Sequence, residues 1–285
     1  MQQYKNYQRK VIFHNKALEE FEEDYSSFDL HVHTKYSHDC ITNINAILKR
    51  AAQLRIGVAI TDHNRAEGAL EACKQKKVPV IPGIEVTSME KKEILIYFYS
   101  ANDLKDYYEK YIKGKITINK IPRTRIGRTL RMVKSYLSMK EIIEKADKYS
   151  CLKSVPHPFN YVSKGGHRFF SKKKRAGLFK RVEAVEVFNA AQRKIMNKKA
   201  LKWAIKHRKA FTGGSDAHSL REVGNVVTAC RAHNTDCFLE CVRKNKSLIL
   251  GSETRLPAIM KTSWQALHHK RKNGWLKILE TENND

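Results

Sequence analysis

Short apolar runs recur along the chain, and most are followed by a stretch in which apolar residues return every three or four positions. The runs FDLHVH (28–33), VAITDH (58–63), VPVIPGIEV (78–86), EILIYFY (93–99), LKSVPHP (152–158), VEAVEVFN (182–189) and AFTGGSDA (210–217) have the length and composition of buried strands. Between them, INAILKRAAQL, EGALEACKQK, DLKDYYEKYI, MKEIIEKADKY and RKIMNKKALKWAIKH carry helical spacing. Strand alternating with helix predicts a parallel sheet. Seven such units exceed what an open sheet ordinarily needs, so the pattern predicts a closed β/α barrel in one domain, spanning 28–250. Residues 1–27 fall outside the rhythm as an N-terminal helical extension, with ALEEFEEDYSS as its acidic helix. After the last strand, TDCFLECVRKNKSL reads as one more helix, in which Cys237 and Cys241 are expected to be buried small side chains. Residues 251–285 read as a polar tail.

The unusual residues sit at the ends of the strands. Read at a period of two, His31 and His33 share one face of the first strand, with Leu30 and Val32 on the other. Asp39 follows past a Thr-Lys-Tyr-Ser turn. The second strand ends in Asp62 and His63, the third carries Glu85, the fifth ends at His157, and the seventh at Asp216 with His218 close behind. In a parallel barrel these carboxyl ends converge on one face, so residues far apart in sequence become neighbours. A mixed imidazole and carboxylate set of this kind suits Zn, Mn or Fe, with Mg also possible, and even without Asp62 its eight members exceed the needs of one ion. Two or three divalent ions are expected. Each residue alone is more often a hydrogen-bonded core histidine or a surface carboxylate, so the shared placement is what points to a site. His14, His167, His207, His233, His268 and His269 lack that placement and are expected to be ordinary.

Charge changes the picture again. Lys and Arg number 55 against 29 Asp and Glu, a formal net charge of +26, which attracts polyanions such as nucleic acid, nucleotides or acidic lipids. The excess is concentrated in two insertions, 113–134 and 164–181, each with eight Lys or Arg and no acidic residue. Within the second, Lys172, Lys173, Lys174 and Arg175 form the densest cluster and are the expected nucleic-acid contacts. No run of about 18 apolar residues appears, so no transmembrane segment is expected, and the polar start does not read as a signal peptide. The six cysteines form no C-x-x-C pair, which argues against a disulfide framework or zinc finger and for a cytoplasmic location.

The segments DLHVHTKYS (29–37), AITDH (59–63), IPGIEVTS (81–88), VPHPFN (155–160), VEVFNA (185–190) and GGSDAH (213–218) resemble, in order, the motifs of the PHP (polymerase and histidinol phosphatase) superfamily. The resemblance implies a distorted (βα)7 TIM-like barrel with a two- or three-metal phosphoesterase site at the carboxyl ends of the strands. By position it implies that His31, His33, Glu85 and Asp216 hold one ion, that Glu85 bridges to a second held by His157, and that Asp39, His63 and His218 hold a third. Many relatives place a histidine shortly after the glutamate strand. Here Glu93 stands at about that position, and either it replaces the histidine as a ligand, the favoured reading, or the second ion is held more weakly.

Metal ions so placed would activate water and clamp the oxygens of a phosphoryl displacement. Asp62, Ser215 and Asn189 are expected to orient ligands, and Arg65, just after TDH, to bind phosphate. Hydrolysis of a phosphate ester on a nucleotide, oligonucleotide or nucleic acid, by a phosphatase or exonuclease, accounts for both the cluster and the charge. The alternatives are a small-metabolite phosphatase of the histidinol phosphatase type and a non-catalytic module on the same barrel that binds nucleic acid, an acidic partner or membrane lipid.

Overall fold

The computed structural model describes residues 11–13, 25–120, 131–160 and 165–254. Among them the strands are β1 (Val11–Phe13), β2 (Tyr25–Val32), β3 (Gly57–Ile60), β4 (Val80–Thr87), β5 (Glu93–Phe98), β6 (Ile116–Lys120), β7 (Arg131–Ser135), β8 (Cys151–Val155), β9 (Ala184–Asn189), β10 (Ala210–Gly214), β11 (Val226–Arg231) and β12 (Leu248–Gly251). Ten of them make one sheet in the order β1-β12-β11-β2-β3-β4-β5-β8-β9-β10, while β6 and β7 pair as a separate antiparallel ribbon. The sheet curls into a nearly closed barrel. At its seam Val32 bridges Ala217: His33 N donates to Ala217 O at 3.0 Å and Ala217 N to His31 O at 3.2 Å.

Alternation along the strands divides the apolar residues into two clusters. One faces the helices: Val58 and Ile60 of β3 and Ile94, Ile96 and Phe98 of β5 pack with Ile44, Ile47, Leu48 and Ala51. Those last four line one side of the helix Ile44–Gln53, whose first turn Asn43 caps through its side chain. The other cluster fills the barrel, with Phe28, Leu30, Ala59, Ile81, Leu95, Tyr97 and Leu152. Phe238, Leu239 and Val242 of the helix Thr235–Arg243 join it from below, and the Phe238 ring lies 4.4 Å from that of Phe28. This helix plugs the end of the barrel opposite the ionisable cluster. Its Cys237 and Cys241 correct the sequence reading: both are half-buried, because the helix turns Phe238, Leu239 and Val242 inward instead.

Three features of the sheet depart from a parallel alternation. β5 runs antiparallel to both β4 and β8, because the short turn after β4 makes a hairpin and no helix intervenes. Its amino end, Glu93, therefore lies where its neighbours place their carboxyl ends. Next, β11 and β12 extend the sheet where the pattern predicts no strand, β11 antiparallel to both β2 and β12, and β1 adds in parallel to β12. Finally, β2 is bulged: Asp29 faces Val58 and Val32 faces Ile60, so β2 spends three steps against two on β3. Leu30 and Val32 consequently part company, Leu30 entering the barrel and Val32 the helix-facing core.

Of the N-terminal extension, the described residues are strand: Val11–Phe13 is β1 and Tyr25–Ser27 begins β2, while most of its candidate acidic helix lies outside the described residues. Residues 255–285, 121–130 of the first basic insertion, and Lys164 also lie outside them, with His14, His268 and His269. Among the described residues, no helix is long and apolar enough to cross a membrane.

Candidate metal centre

One end of the barrel gathers the ionisable residues from every wall. Glu85, on β4 and fully buried, is the hub. Its carboxylate lies 2.8 Å from His63 Nδ1, 3.2 Å from His157 Nε2, 3.5 Å from His31 Nε2 and 3.7 Å from His33 Nε2. Asp216 Oδ1 lies 3.2 Å from His33 Nε2 and 3.5 Å from His31 Nε2. Asp39 Oδ2 lies 3.3 Å from both His63 Nε2 and His218 Nε2. Glu93, turned inward at the start of antiparallel β5, stands 3.6 Å from His157 Nε2 and 3.8 Å from His63 Nδ1. The nine sequence-predicted ligand positions thus meet at one place.

The backbone is bent to serve this. His157 and Asp216 have φ of +26° and +54°, a left-handed region that costs a non-glycine residue about 1–3 kcal/mol. His157 is held there by its own N–H, which donates to Glu186 Oε2 at 2.7 Å. Gly214 is required by close approach, since a Cβ on it would come within 2.6 Å of His31 N.

Buried polar residues fix the ligands. Glu186 of β9, which the sequence reading misses, lies 2.9 Å through Oε1 from His31 Nδ1 while Oε2 receives the His157 N–H. Its only signal was a carboxylate inside the apolar run VEVFN. Asn189 donates to Glu186 Oε2 at 2.9 Å and to Asp216 Oδ2 at 3.2 Å. Asp62 acts on the loop rather than on an imidazole, accepting from Thr34 N at 2.6 Å and Thr34 Oγ1 at 2.7 Å. Ser37 then links that loop to two histidines, accepting from His63 N at 2.9 Å and standing 3.1 Å from His33 Nδ1. Ser215 donates from N and Oγ to Asp29, at 2.8 and 2.5 Å, tying β2 to the segment after β10. Burial lifts the carboxyls of Asp29 and Asp62 to about 6, against hydrogen bonds that lower them.

Opposite charges dominate elsewhere. Burial opposes ionisation of Glu85, yet His63 and His31 hold its carboxyl well below the usual range. His63, His38 and His218 do the same for Asp39, and His31 and His33 for Asp216. His31, in β2, and His33, just past its end, separate: Asp216, Glu186 and Glu85 raise His31 despite burial, whereas burial together with His218 and His63 lowers His33 to about 3.

Arg65, two residues after His63, has its guanidinium forked on Glu67, at 2.8 and 3.2 Å. Lys172, Lys173 and Lys174 are exposed, the last two beginning a short 3-10 turn, whereas Arg175 lies over the Phe169 ring at 3.6 Å. Burial lowers Lys92, against Glu93, which raises it, and Arg168 of the same basic segment adds to the lowering. His167 stacks on Phe159 at 4.2 Å and His207 packs at the edge of Phe179, both in an aromatic cluster.

Metal ions fit these residues. Donor atoms of His31, His33 and Glu85, of His31, His157 and Asp216, of His33, His63 and His218, and of His63, Glu85 and Glu93 each fall within 4.8 Å of one another. His31 Nε2 and Glu85 Oε2 are buried and make no hydrogen bond. Gathering so many ionised groups without cations would cost several kcal/mol per charge. Residues 29–175 match the family model described as the PHP domain. The chain belongs to the PHP family. A model described as PHP-associated matches residues 194–247. Two uncharacterized proteins of Methanocaldococcus jannaschii are similar along the sequence. One is 26% identical, covering 86% of this chain and 90% of its own, and the other 32% identical, covering 64% and 95%. Among solved structures, the fold is shared with a two-domain Bacteroides vulgatus protein containing a predicted PHP-like metal-dependent phosphoesterase (TM-score 0.57, 14% identity, covering 86% of this chain and 71% of that one). It is shared also with the lesion-specific endonuclease Q of Pyrococcus furiosus (TM-score 0.59, 16% identity, 84% and 66%). A further match is endonuclease Q in complex with a 27-mer duplex carrying an abasic lesion at the active site (TM-score 0.58, 17% identity, 84% and 67%).

Proposed function

We propose that this PHP chain is a metal-dependent phosphoesterase that hydrolyses a nucleotide, oligonucleotide or nucleic acid. The observation that carries the reading is the Glu85 carboxylate with four imidazoles within 3.7 Å, a buried arrangement whose charges call for cations. His31, His33, Glu85 and Asp216 would hold one ion, Glu85, Glu93 and His157 a second, and Asp39, His63 and His218 a third. When bound, such ions supply Lewis acidity that activates water and neutralises phosphate charge. The protein's own part is to hold these donors rigid: Glu186 fixes His31 and the His157 backbone, and Asn189 fixes Asp216.

The preference for nucleic acid rests on charge and on likeness. The exposed Lys172, Lys173 and Lys174 belong to the segment that follows His157 off the barrel, and a net charge of +26 draws a polyanion to it. Endonuclease Q, which shares the fold, takes a 27-mer duplex substrate with an abasic lesion. Arg65 would engage phosphate by exchanging the Glu67 carboxylate for it.

The test is a product assay with Mn, Zn or Mg on mononucleotides, 5′-phosphorylated and 5′-hydroxyl oligonucleotides, abasic duplex and histidinol phosphate. Cleavage of the nucleotide or oligonucleotide substrates is expected. Activity confined to histidinol phosphate would overturn the nucleic-acid reading, and no hydrolysis with any metal would overturn the enzyme.

A further inference from the structure

His38 stands outside the ligand set read from the sequence, yet the fold brings it to the same place. It sits beside Asp39 on the loop after β2, with only 14% of its side chain exposed. Its ring centroid lies 4.9 Å from that of His63. Asp39 Oδ2 is thereby faced by three imidazoles from three parts of the chain: His63 Nε2 and His218 Nε2 at 3.3 Å and His38 Nε2 at 3.8 Å. At 3.8 Å the approach of His38 to Asp39 is too long for a hydrogen bond. It is close to what a shared ion requires. Four donors around a tetrahedral ion at about 2.1 Å stand about 3.4 Å from one another. Two of the three spacings around Asp39 Oδ2 already match, and the third exceeds the value by about 0.4 Å. His38, Asp39 and His63 also present donor atoms within 4.8 Å of one another.

We propose that His38 is a fourth protein donor, with Asp39, His63 and His218, to the third ion of the cluster. The inference rests on the metal-dependent reading above and extends it to a division of labour. Four protein donors make the closed set of a structural ion, whereas catalytic sites keep a position open. The third site would then anchor the loop that carries Asp39 to the barrel rim and add positive charge, leaving the donors around Glu85 and Asp216 to face substrate.

Metal-stripped protein is titrated with Co²⁺ and Zn²⁺ under chelator competition, with ions counted after desalting and folding checked by circular dichroism. His38→Gln is expected to lose one ion on desalting, or to hold it at least tenfold more weakly, with the remaining ions unaffected. His38→Cys offers a shorter donor from the same loop position, so where the loop adjusts to bring it in, the ion is retained with thiolate-to-cobalt absorption absent from the parent. Such absorption in His38→Cys supports the assignment, and if His38→Gln holds every ion as tightly as the parent does, His38 is not a ligand. A parent chain that takes up no ion overturns this inference and the metal-dependent reading together.

Discussion

His31 Nδ1 stands 2.9 Å from Glu186 Oε1, a contact that spans 155 positions of sequence and joins β2 to β9 inside the barrel mouth. The pairing turns His31 Nε2 toward Glu85 and Asp216. Losing such a partner typically lowers metal affinity 10–100-fold. Glu186→Gln is therefore expected to weaken metal binding by about that factor while the chain stays folded, as chelator competition and circular dichroism would report. Unchanged affinity would remove Glu186 from the site's support.

Glu93 is expected to ligate the second ion. Glu93→Ala should lower metal content and turnover together, and Glu93→His should restore both in part, because an imidazole can occupy the same inward position at the start of β5. Elemental analysis beside a rate measurement checks it. Loss of turnover with full metal content would instead make Glu93 a residue that acts on substrate.

In the metal-free chain burial depresses His218, but Asp39 and Asp216 outweigh it and lift the imidazole to about 9. A folded pKa above the ordinary 6.5 means that this group's stabilisation is complete below about pH 6.5 and is lost as pH rises through about 9. Metal uptake has the opposite slope, since a ligating imidazole must shed its proton. Urea midpoints of stripped protein should fall across that window relative to His218→Gln, while metal affinity of the parent should rise. A stripped protein whose pH dependence matches that of the variant would show that His218 carries no such charge.

Gly214→Ala is expected to damage the site without touching a ligand. The added Cβ would meet both N and Cβ of His31 at 2.6 Å, and His31 is confined on both sides. Overpacking of this kind costs about 1–3 kcal/mol, read as a lower urea midpoint, and should weaken metal binding because β2 must move. A variant with parental stability and affinity would show that the strand yields freely.

Lys172, Lys173 and Lys174 are exposed, so reversing all three to Glu should leave the fold intact. Arg175 is left alone because it packs on Phe169. The apparent KM for oligonucleotides should rise, and the dependence of binding on salt should flatten, by roughly 0.7 per lost phosphate contact on a single strand. Hydrolysis of a small chromogenic ester should change little. Parental binding at every salt concentration would reduce the segment to a solvated surface.

The sequence by itself determined the inner and outer faces of most strands, because a side-chain period of two against a buried sheet leaves little choice. His31, His33, His63, Glu85, His157 and Asp216 were legible as one site for a related reason: strand ends on a barrel share a rim, so position along each strand suffices. Glu93 was legible as a residue type in place, but its reach was not, since the direction of β5 follows from a hairpin turn that apolar spacing does not encode. The parting of Leu30 from Val32 depended on a bulge, which is a relation between two strands and leaves no mark in either. Glu186 and His38 were hidden for a similar reason. A buried carboxylate in an apolar run, or a histidine beside an aspartate, acquires a role only from the partner that tertiary structure sets within a few ångströms, His31 for the first and Asp39 with His63 for the second. Where no bulge intervenes, local sequence fixes which way a side chain points, whereas what it points at is decided by chain closure between residues that sequence separation leaves independent.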